Sequence, residues 1–253
     1  MPFMSLNRRI LFGFATVLFA IGLESAAADE ITVAVAANFA RPMAALVERF
    51  EAETAHRVRI TTGSTGKHYA QIRNGAPFDA FFAADAERPR RLEEAGVGVP
   101  GSRFTYAIGR LALWSPRSDY VDAEGKILED GAFRHLAIAN PSLAPYGAAA
   151  RDVLAAKGVL DALERKLVFG EDVGQTFGFV HSGAAELGFV AYAQLVADDG
   201  GVGGSHWLVP AALHAPIEQQ AVLLVDSPAA RAFVEFVSSD AARAIIERFG
   251  YGT

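Results

Sequence analysis

Arg59-Ile60-Thr61-Thr62-Gly63-Ser64-Thr65-Gly66-Lys67-His68-Tyr69 is the stretch on which the fold turns. Residues 58–62 are mostly β-branched and read as a strand. Tyr69-Ala70-Gln71-Ile72 has helical character. Between them, Gly63 and Gly66 let backbone approach a ligand closely, and Ser64 and Thr65 stand at the predicted start of the helix. A helix start exposes unpaired N–H donors and partial positive charge, which suits an anion. It is equally a place where a hydroxyl simply caps the helix. The stretch alone leaves both readings open.

The same grammar recurs along the chain. Ile31-Thr32-Val33-Ala34-Val35-Ala36 reads as a strand buried on both faces. It runs through Ala37-Asn38 into a predicted helix over 41–54, with Pro42 in its first turn, where proline is tolerated. Asn38 is therefore either a turn or cap residue or a ligand contact. Residues 78–84 read as a third strand, followed by Asp85 as a cap and a basic helix over 88–95, most simply a solvated helix start. His135-Leu136-Ala137-Ile138-Ala139 reads as a strand that leads through Asn140-Pro141-Ser142-Leu143-Ala144-Pro145-Tyr146-Gly147 to a helix over 148–157. Lys166-Leu167-Val168-Phe169 leads through Glu171-Asp172 to a helix whose first residues include Val173, which can offer a backbone N–H only. In an open α/β sheet such loops gather at the carboxyl ends of the strands, where ligands bind.

Two extended runs are longer than ordinary strands: residues 103–114 and 218–225. Each suits a chain passing from one domain to another. Two amphipathic helices, over 228–236 and 240–249, finish the sequence. Gly188-Phe189-Val190-Ala191 reads as a strand, with a helical segment over 192–196, and the glycine-rich residues 200–204 as a surface loop.

Composition bounds the rest. The chain has 253 residues, 51% of them hydrophobic, with a net charge of −6 and no cysteine. Disulfides, thiolate metal sites and cysteine nucleophiles are excluded, and the acidic balance argues against a nucleic-acid surface. Residues 1–28 have the layout of a secretory signal peptide: Arg8 and Arg9, an apolar run over 10–23, and Ser25-Ala26-Ala27-Ala28 as the exit. The apolar run is short for a membrane span. The expectation is a signal peptide over 1–28 and an exported, periplasmic body. No G-x-S-x-G, H-E-x-x-H or Walker loop is present, and no G-x-G-x-x-G follows a strand. His56, His68, His135, His181, His206 and His214 show no metal-ligand pairing. His68, nearest the opening loop, is expected at the surface or in the cap region. No enzyme is expected; a hydrolase using Ser64 or Thr65 as nucleophile would need a base that no nearby sequence supplies.

With the junctions laid out, the chain resembles the periplasmic molybdate-binding proteins that serve ABC importers. The residues that carry the resemblance are Val35-Ala36-Ala37-Asn38-Phe39, Gly63-Ser64-Thr65-Gly66, Tyr69-Ala70-Gln71-Ile72, Asn74-Gly75-Ala76-Pro77 and Phe82-Ala83-Ala84-Asp85. Further on they are Pro100 to Gly109, Asn140-Pro141, Ala144-Pro145-Tyr146-Gly147 and Leu187-Gly188-Phe189-Val190-Ala191. The resemblance covers nearly all of the chain beyond the signal segment. It implies an α/β, two-lobed type II periplasmic-binding-protein fold, each lobe a mostly parallel sheet flanked by helices, joined by two crossing strands. The implied lobes are residues 29–108 plus 219–253 and residues 109–218.

The implied ligand is molybdate, with tungstate beside it and sulfate or another tetrahedral oxyanion as the alternative. The implied partner is the membrane permease of an ABC importer. A monomer without a separate cofactor is expected. The family positions that hold the oxyanion match Asn38, Thr65, Tyr146 and the Val173 N–H here, with Ala37 through its backbone and Ser64 as secondary contacts. Many relatives place a tyrosine at the position of Ala191, which has no hydroxyl. The subgroup that shares this departure has a tyrosine at the position of Tyr146, so the resemblance implies that Tyr146 supplies the missing phenol; Tyr192, next to Ala191, would point the other way if its strand continues.

Overall fold

The computed structural model describes Met1 and residues 29–196 and 203–252. The predicted signal segment, apart from Met1, and residues 200–202 of the predicted glycine loop lie outside the described residues. Two five-stranded sheets form, one per lobe.

The first lobe opens with β1 (Glu30–Ala36), a 3-10 turn (Ala37–Phe39) and α1 (Ala40–Glu53). Then come β2 (Arg57–Gly63), α2 (Thr65–Arg73), β3 (Ala80–Phe82), α3 (Glu87–Glu94) and β4 (Phe104–Gly109). Only Arg110 separates β4 from β5 (Leu111–Ser115), which lies in the other sheet. The second lobe continues with α4 (Ile127–Asp130), β6 (Leu136–Ala139), α5 (Pro145–Ala156) and α6 (Leu160–Leu163). It is completed by β7 (Leu167–Gly170), α7 (Val173–His181), β8 (Leu187–Ala191), α8 (Tyr192–Leu195) and β9 (Ser205–Leu208). The chain returns along β10 (Ile217–Leu223) and ends with α9 (Pro228–Val237) and α10 (Asp240–Arg248). β9 has no counterpart in the sequence reading.

The sheet orders are β2-β1-β3-β10-β4 and β7-β6-β8-β5-β9. Both are built alike. β1 pairs in parallel with β2 and β3, and β6 pairs in parallel with β7 and β8. The crossing strands β10 and β5 join the β3 and β8 edges antiparallel. The continuous apolar character of β1 follows from this setting. Val33 and Val35 pack with Phe39, Met43, Phe50 and Phe82 on one face, and Ala34 packs with Ile72, Phe81 and Leu92 on the other. Burying one such valine fully is worth about 1.5–3 kcal/mol. The second lobe repeats the arrangement, with Leu136 and Ile138 facing Val153 and Leu154, and Ala137 facing Val180.

The crossing point carries an irregularity. Across β10 and β4, Gln219 faces Ala107 and Gln220 faces Thr105, so Tyr106 is an extra residue in β4. A bulge re-aims side chains, and here it helps turn Tyr106 and Gln219 inward, both buried. The chain end is tied to the same place. Ile108 and Gly252 exchange two backbone hydrogen bonds, at 2.6 and 3.0 Å, which carries Tyr251 into the core of the first lobe.

Candidate functional site

Four helix starts, two from each lobe, converge on one small cavity. It is lined by Ala36, Ala37 and Asn38 after β1, and by Gly63, Ser64 and Thr65 after β2. From the facing lobe come Ala144, Pro145 and Tyr146 before and within α5, and Asp172 and Val173 at the start of α7; Ala84, after β3, completes the wall. The cavity is small, about 10 Å³ in volume. All six residues singled out from sequence, Ala37, Asn38, Ser64, Thr65, Tyr146 and Val173, line it.

The opening stretch caps its helix and also lines the cavity. Ser64 is the cap of α2, its Oγ accepting the Lys67 N–H at 3.3 Å. Thr65 is the first residue of α2, and its Oγ1 accepts the Ala84 N–H at 3.0 Å. Each hydroxyl, having accepted, still owns a proton to donate. α5 begins at Pro145, three residues earlier than its sequence indicates, so Tyr146 falls in the first helical turn and is buried. Pro145 has no N–H to orphan, and its fixed φ favours a helix start. At α7, Asp172 caps the helix through Gln175 N–H at 2.9 Å, which leaves Val173 as the first helical residue.

Asn38 differs from its expected role. Its Nδ2 donates to Gln219 Oε1 at 2.7 Å and to Tyr251 Oη at 3.0 Å. Both amide hydrogens are spent inside the first lobe, so the side chain is a strut. What residue 38 has for an anion is main chain, because the first N–H groups of a helical turn have no intrahelical partner. Ala191 is fully buried. Tyr192 stands at the start of α8 beneath the Arg110 guanidinium, 5.0 Å from its ring centre, and is absent from the cavity.

His68 is a correction. It lies in the first turn of α2, the cap region, but is 1% exposed and so not at the surface. Its Nδ1 meets Gln71 Oε1 at 3.2 Å, and its ring stands edge-on to Phe78 and Phe81. Burial pushes its pKa down, against a smaller upward pull from Gln71. Asp85 and Arg88 are also more than a solvated helix start. They pair with each other, and Arg88 Nη2 reaches the Ser142 carbonyl of the facing lobe at 3.1 Å.

The sequence reading missed a buried group behind the cavity. Tyr251 Oη donates to the Asn38 carbonyl at 2.9 Å. Tyr106 Oη lies 3.0 Å from the Ala83 carbonyl and 3.2 Å from Gln219 Oε1. Gln219 Nε2 approaches Tyr146 Oη at 3.5 Å. Burial raises the pKa of all three phenols, so each is a neutral O–H donor. Gln219, flanked by Glu218 and Gln220, did not stand out in the sequence, and Tyr251, two residues from the end, gave no signal either.

Among the lining residues there is no cation, and the one formal charge is Asp172. The site offers hydroxyl and backbone donors and helix dipoles. Such a set accommodates a small anion whose atoms only accept. No group of three or more acidic or histidine side chains that could hold a metal ion occurs among the described residues.

The bacterial extracellular solute-binding protein family model matches residues 31–252. The molybdate-binding protein ModA of Azotobacter vinelandii is 50% identical over 231 residues, covering 90% of this chain and 92% of its own length. ModA of Rhodobacter capsulatus is 45% identical over 231 residues, covering 90% of each. The solved periplasmic molybdate-binding protein of Azotobacter vinelandii superposes with a TM-score of 0.86 at 43% identity, over 88% of this chain and 99% of that one. With the two-lobed architecture and the interlobe cavity in place, these matches show that the chain belongs to the bacterial extracellular solute-binding protein family.

Proposed function

We propose that this protein captures molybdate in the interlobe cavity and delivers it, outside the cytoplasm, to the permease of an ABC importer. The observation that carries the reading is the convergence of four helix starts from both lobes on a cavity lined by neutral donors. The molybdate-binding relatives named above support the choice of anion.

A tetrahedral dianion offers acceptors only. Thr65, Ser64 and Tyr146 present hydroxyl protons, and Ala37, Asn38 and Val173 present main-chain N–H groups at helix starts. A protonated anion would bring a donor to a cavity of donors, leaving a polar group unpaired at a cost of about 1–3 kcal/mol. Tungstate, with the same charge and shape, is the second ligand of this reading. In this reading the protein acts as a carrier and not as a catalyst, and the oxygens of Ser64 and Thr65 serve the fold by accepting backbone N–H groups. Residues 1–28 act as the export signal in this reading, with residues 29–108 plus 219–253 as one lobe and 109–218 as the other.

Calorimetric titration of the purified chain with molybdate, tungstate, sulfate and phosphate is the test. Molybdate and tungstate are expected to bind at one site per chain, and more tightly than sulfate or phosphate. Heat and thermal stabilisation from sulfate or phosphate, with none from molybdate, would overturn the assignment.

A further inference from the structure

We propose that Gln219 is a positioning residue that makes the Tyr146 oxygen an acceptor and so leaves the Tyr146 hydroxyl proton to be donated to an anion in the cavity. The proposal deepens the oxyanion reading above and rests on it.

The direction follows from one group that cannot be reversed. The Asn38 carbonyl can only accept, so Tyr251, 2.9 Å away, gives its proton there. Tyr251 oxygen must then accept from Asn38, at 3.0 Å, which sets the amide group of Asn38 facing it as NH2. The second hydrogen of that NH2 points at Gln219, at 2.7 Å, so the Gln219 atom there is the oxygen. Tyr106, whose own proton has only acceptors to choose from, lies 3.2 Å from the same oxygen. The NH2 of Gln219 is thereby turned toward Tyr146 oxygen, at 3.5 Å. Tyr146 receives a hydrogen from Gln219, which leaves its own proton to be shared between the Tyr251 oxygen and an anion in the cavity.

A second observation supports the convergence. A Cβ on Gly109 would lie 2.4 Å from Tyr146 Oη and 3.0 Å from Gln219 Nε2. The chain is bare at the point where the two polar groups meet, on the last residue of β4 before the crossing. The Tyr251 phenol is the competing acceptor for the Tyr146 proton. A charged oxyanion outcompetes it, because a charge-assisted hydrogen bond is about twice as strong as one between neutral groups. Gln219 sits on β10, a crossing strand, so the polarity set at Asn38 in one lobe is passed through the crossing to a donor in the other.

The test is a double-mutant cycle in molybdate affinity, using Gln219→Met and Tyr146→Phe. Gln219→Met is expected to weaken binding about tenfold in the parent and about twofold or less in the Tyr146→Phe background, the difference being one hydrogen bond's worth of coupling. A merely structural role would lower the unfolding temperature but weaken binding equally in both backgrounds. Equal losses would overturn the proposal. Should Gln219→Met not fold, the cycle is run with Gln219→Asn, which keeps an amide but withdraws it from the phenol. Parent protein that fails to bind molybdate would refute the ligand assignment; parent binding with additive variants refutes only the role of Gln219.

Discussion

Gly66, in the first turn of α2, donates its main-chain N–H to the carbonyl of Leu143 across the cleft, at 2.8 Å. The two residues belong to different lobes, so the bond exists only when the lobes are together. It has company. Arg88 reaches Ser142, and Lys67 pairs with Glu171 at 2.7 Å. The last is an exposed pair and contributes little. The backbone bond is the demanding one, because a Cβ on residue 66 would come within 3.0 Å of the Leu143 backbone.

Gly66→Ala should therefore leave each lobe intact and obstruct their approach. Molybdate affinity is expected to fall by about tenfold to a hundredfold, from overpacking of about 1–3 kcal/mol felt only on closure. Calorimetry measures the loss, and small-angle scattering with saturating ligand should show a more open particle than the parent. An unchanged affinity would mean the closed contact has no part in binding.

Thr65 is expected to separate side-chain chemistry from scaffold. Thr65→Ser keeps the hydroxyl that accepts from Ala84 and should bind within about threefold of the parent. Thr65→Val removes both that acceptor and the donor, and should weaken binding by about tenfold or more, since hydrogen bonds to charged groups are worth about 1.5–3 kcal/mol. Equal titration curves for the two variants would remove Thr65 from the site.

Asp172 is the charge that the cavity has to tolerate. Asp172→Asn keeps a residue type that caps helices as well as aspartate does, and removes a carboxylate beside the bound anion. Molybdate should bind about tenfold tighter, given the strength of charge pairs at an effective dielectric of about 20. A weaker variant would show that the carboxylate orders the Val173 N–H by more than it repels the ligand.

His68 should give the fold a pH dependence with a definite sign. Its pKa is lowered from 6.5 mainly by burial, so near and below pH 6.5 the unfolded chain binds a proton that the folded chain refuses. Stability is then fully present above that pH and is lost as pH falls from there toward the lower folded value. Lys67 adds to the depression and Asp172 opposes it. His68→Phe, placed beside Phe78 and Phe81, should flatten the melting temperature between about pH 7.5 and 5.5. A variant curve parallel to the parent's would assign the slope to other groups.

Much of this was legible in the chain. The strand–loop–helix grammar announced itself because the inner strands β1, β3, β6 and β8 are buried on both faces and so read as nearly unbroken apolar runs, whereas the edge strands β2 and β7 do not. The first crossing showed as a run too long for one strand, which the structure divides into β4 and β5; the second extended run is the single strand β10. The loops could be named because hydroxyls and glycines cluster where a strand gives way to a helix. Partners, by contrast, were invisible. Asn38 and Tyr251 are separated by 213 positions, and the bridge between Ile108 and Gly252 and the packing of Tyr251 on Phe39 bring them together. Nothing local says that an asparagine in a loop has already spent its hydrogens. His68 misled for a similar reason: a lone polar residue on a short helix looks exposed until the aromatics that cover it are assembled.

The cation-free lining has a consequence for letting go. A fixed lysine or arginine would keep tugging on a departing anion, since attraction between charges fades only slowly with distance. Hydroxyl and amide donors lose their hold within an ångström or so of displacement, and water can replace each of them one for one. The grip is thus short-ranged, and it is split between two bodies. Prising the lobes apart by a small angle separates the donors of Tyr146 and Val173 from those of the first lobe at once. A partner that opens the cleft need not pull on the cargo at all.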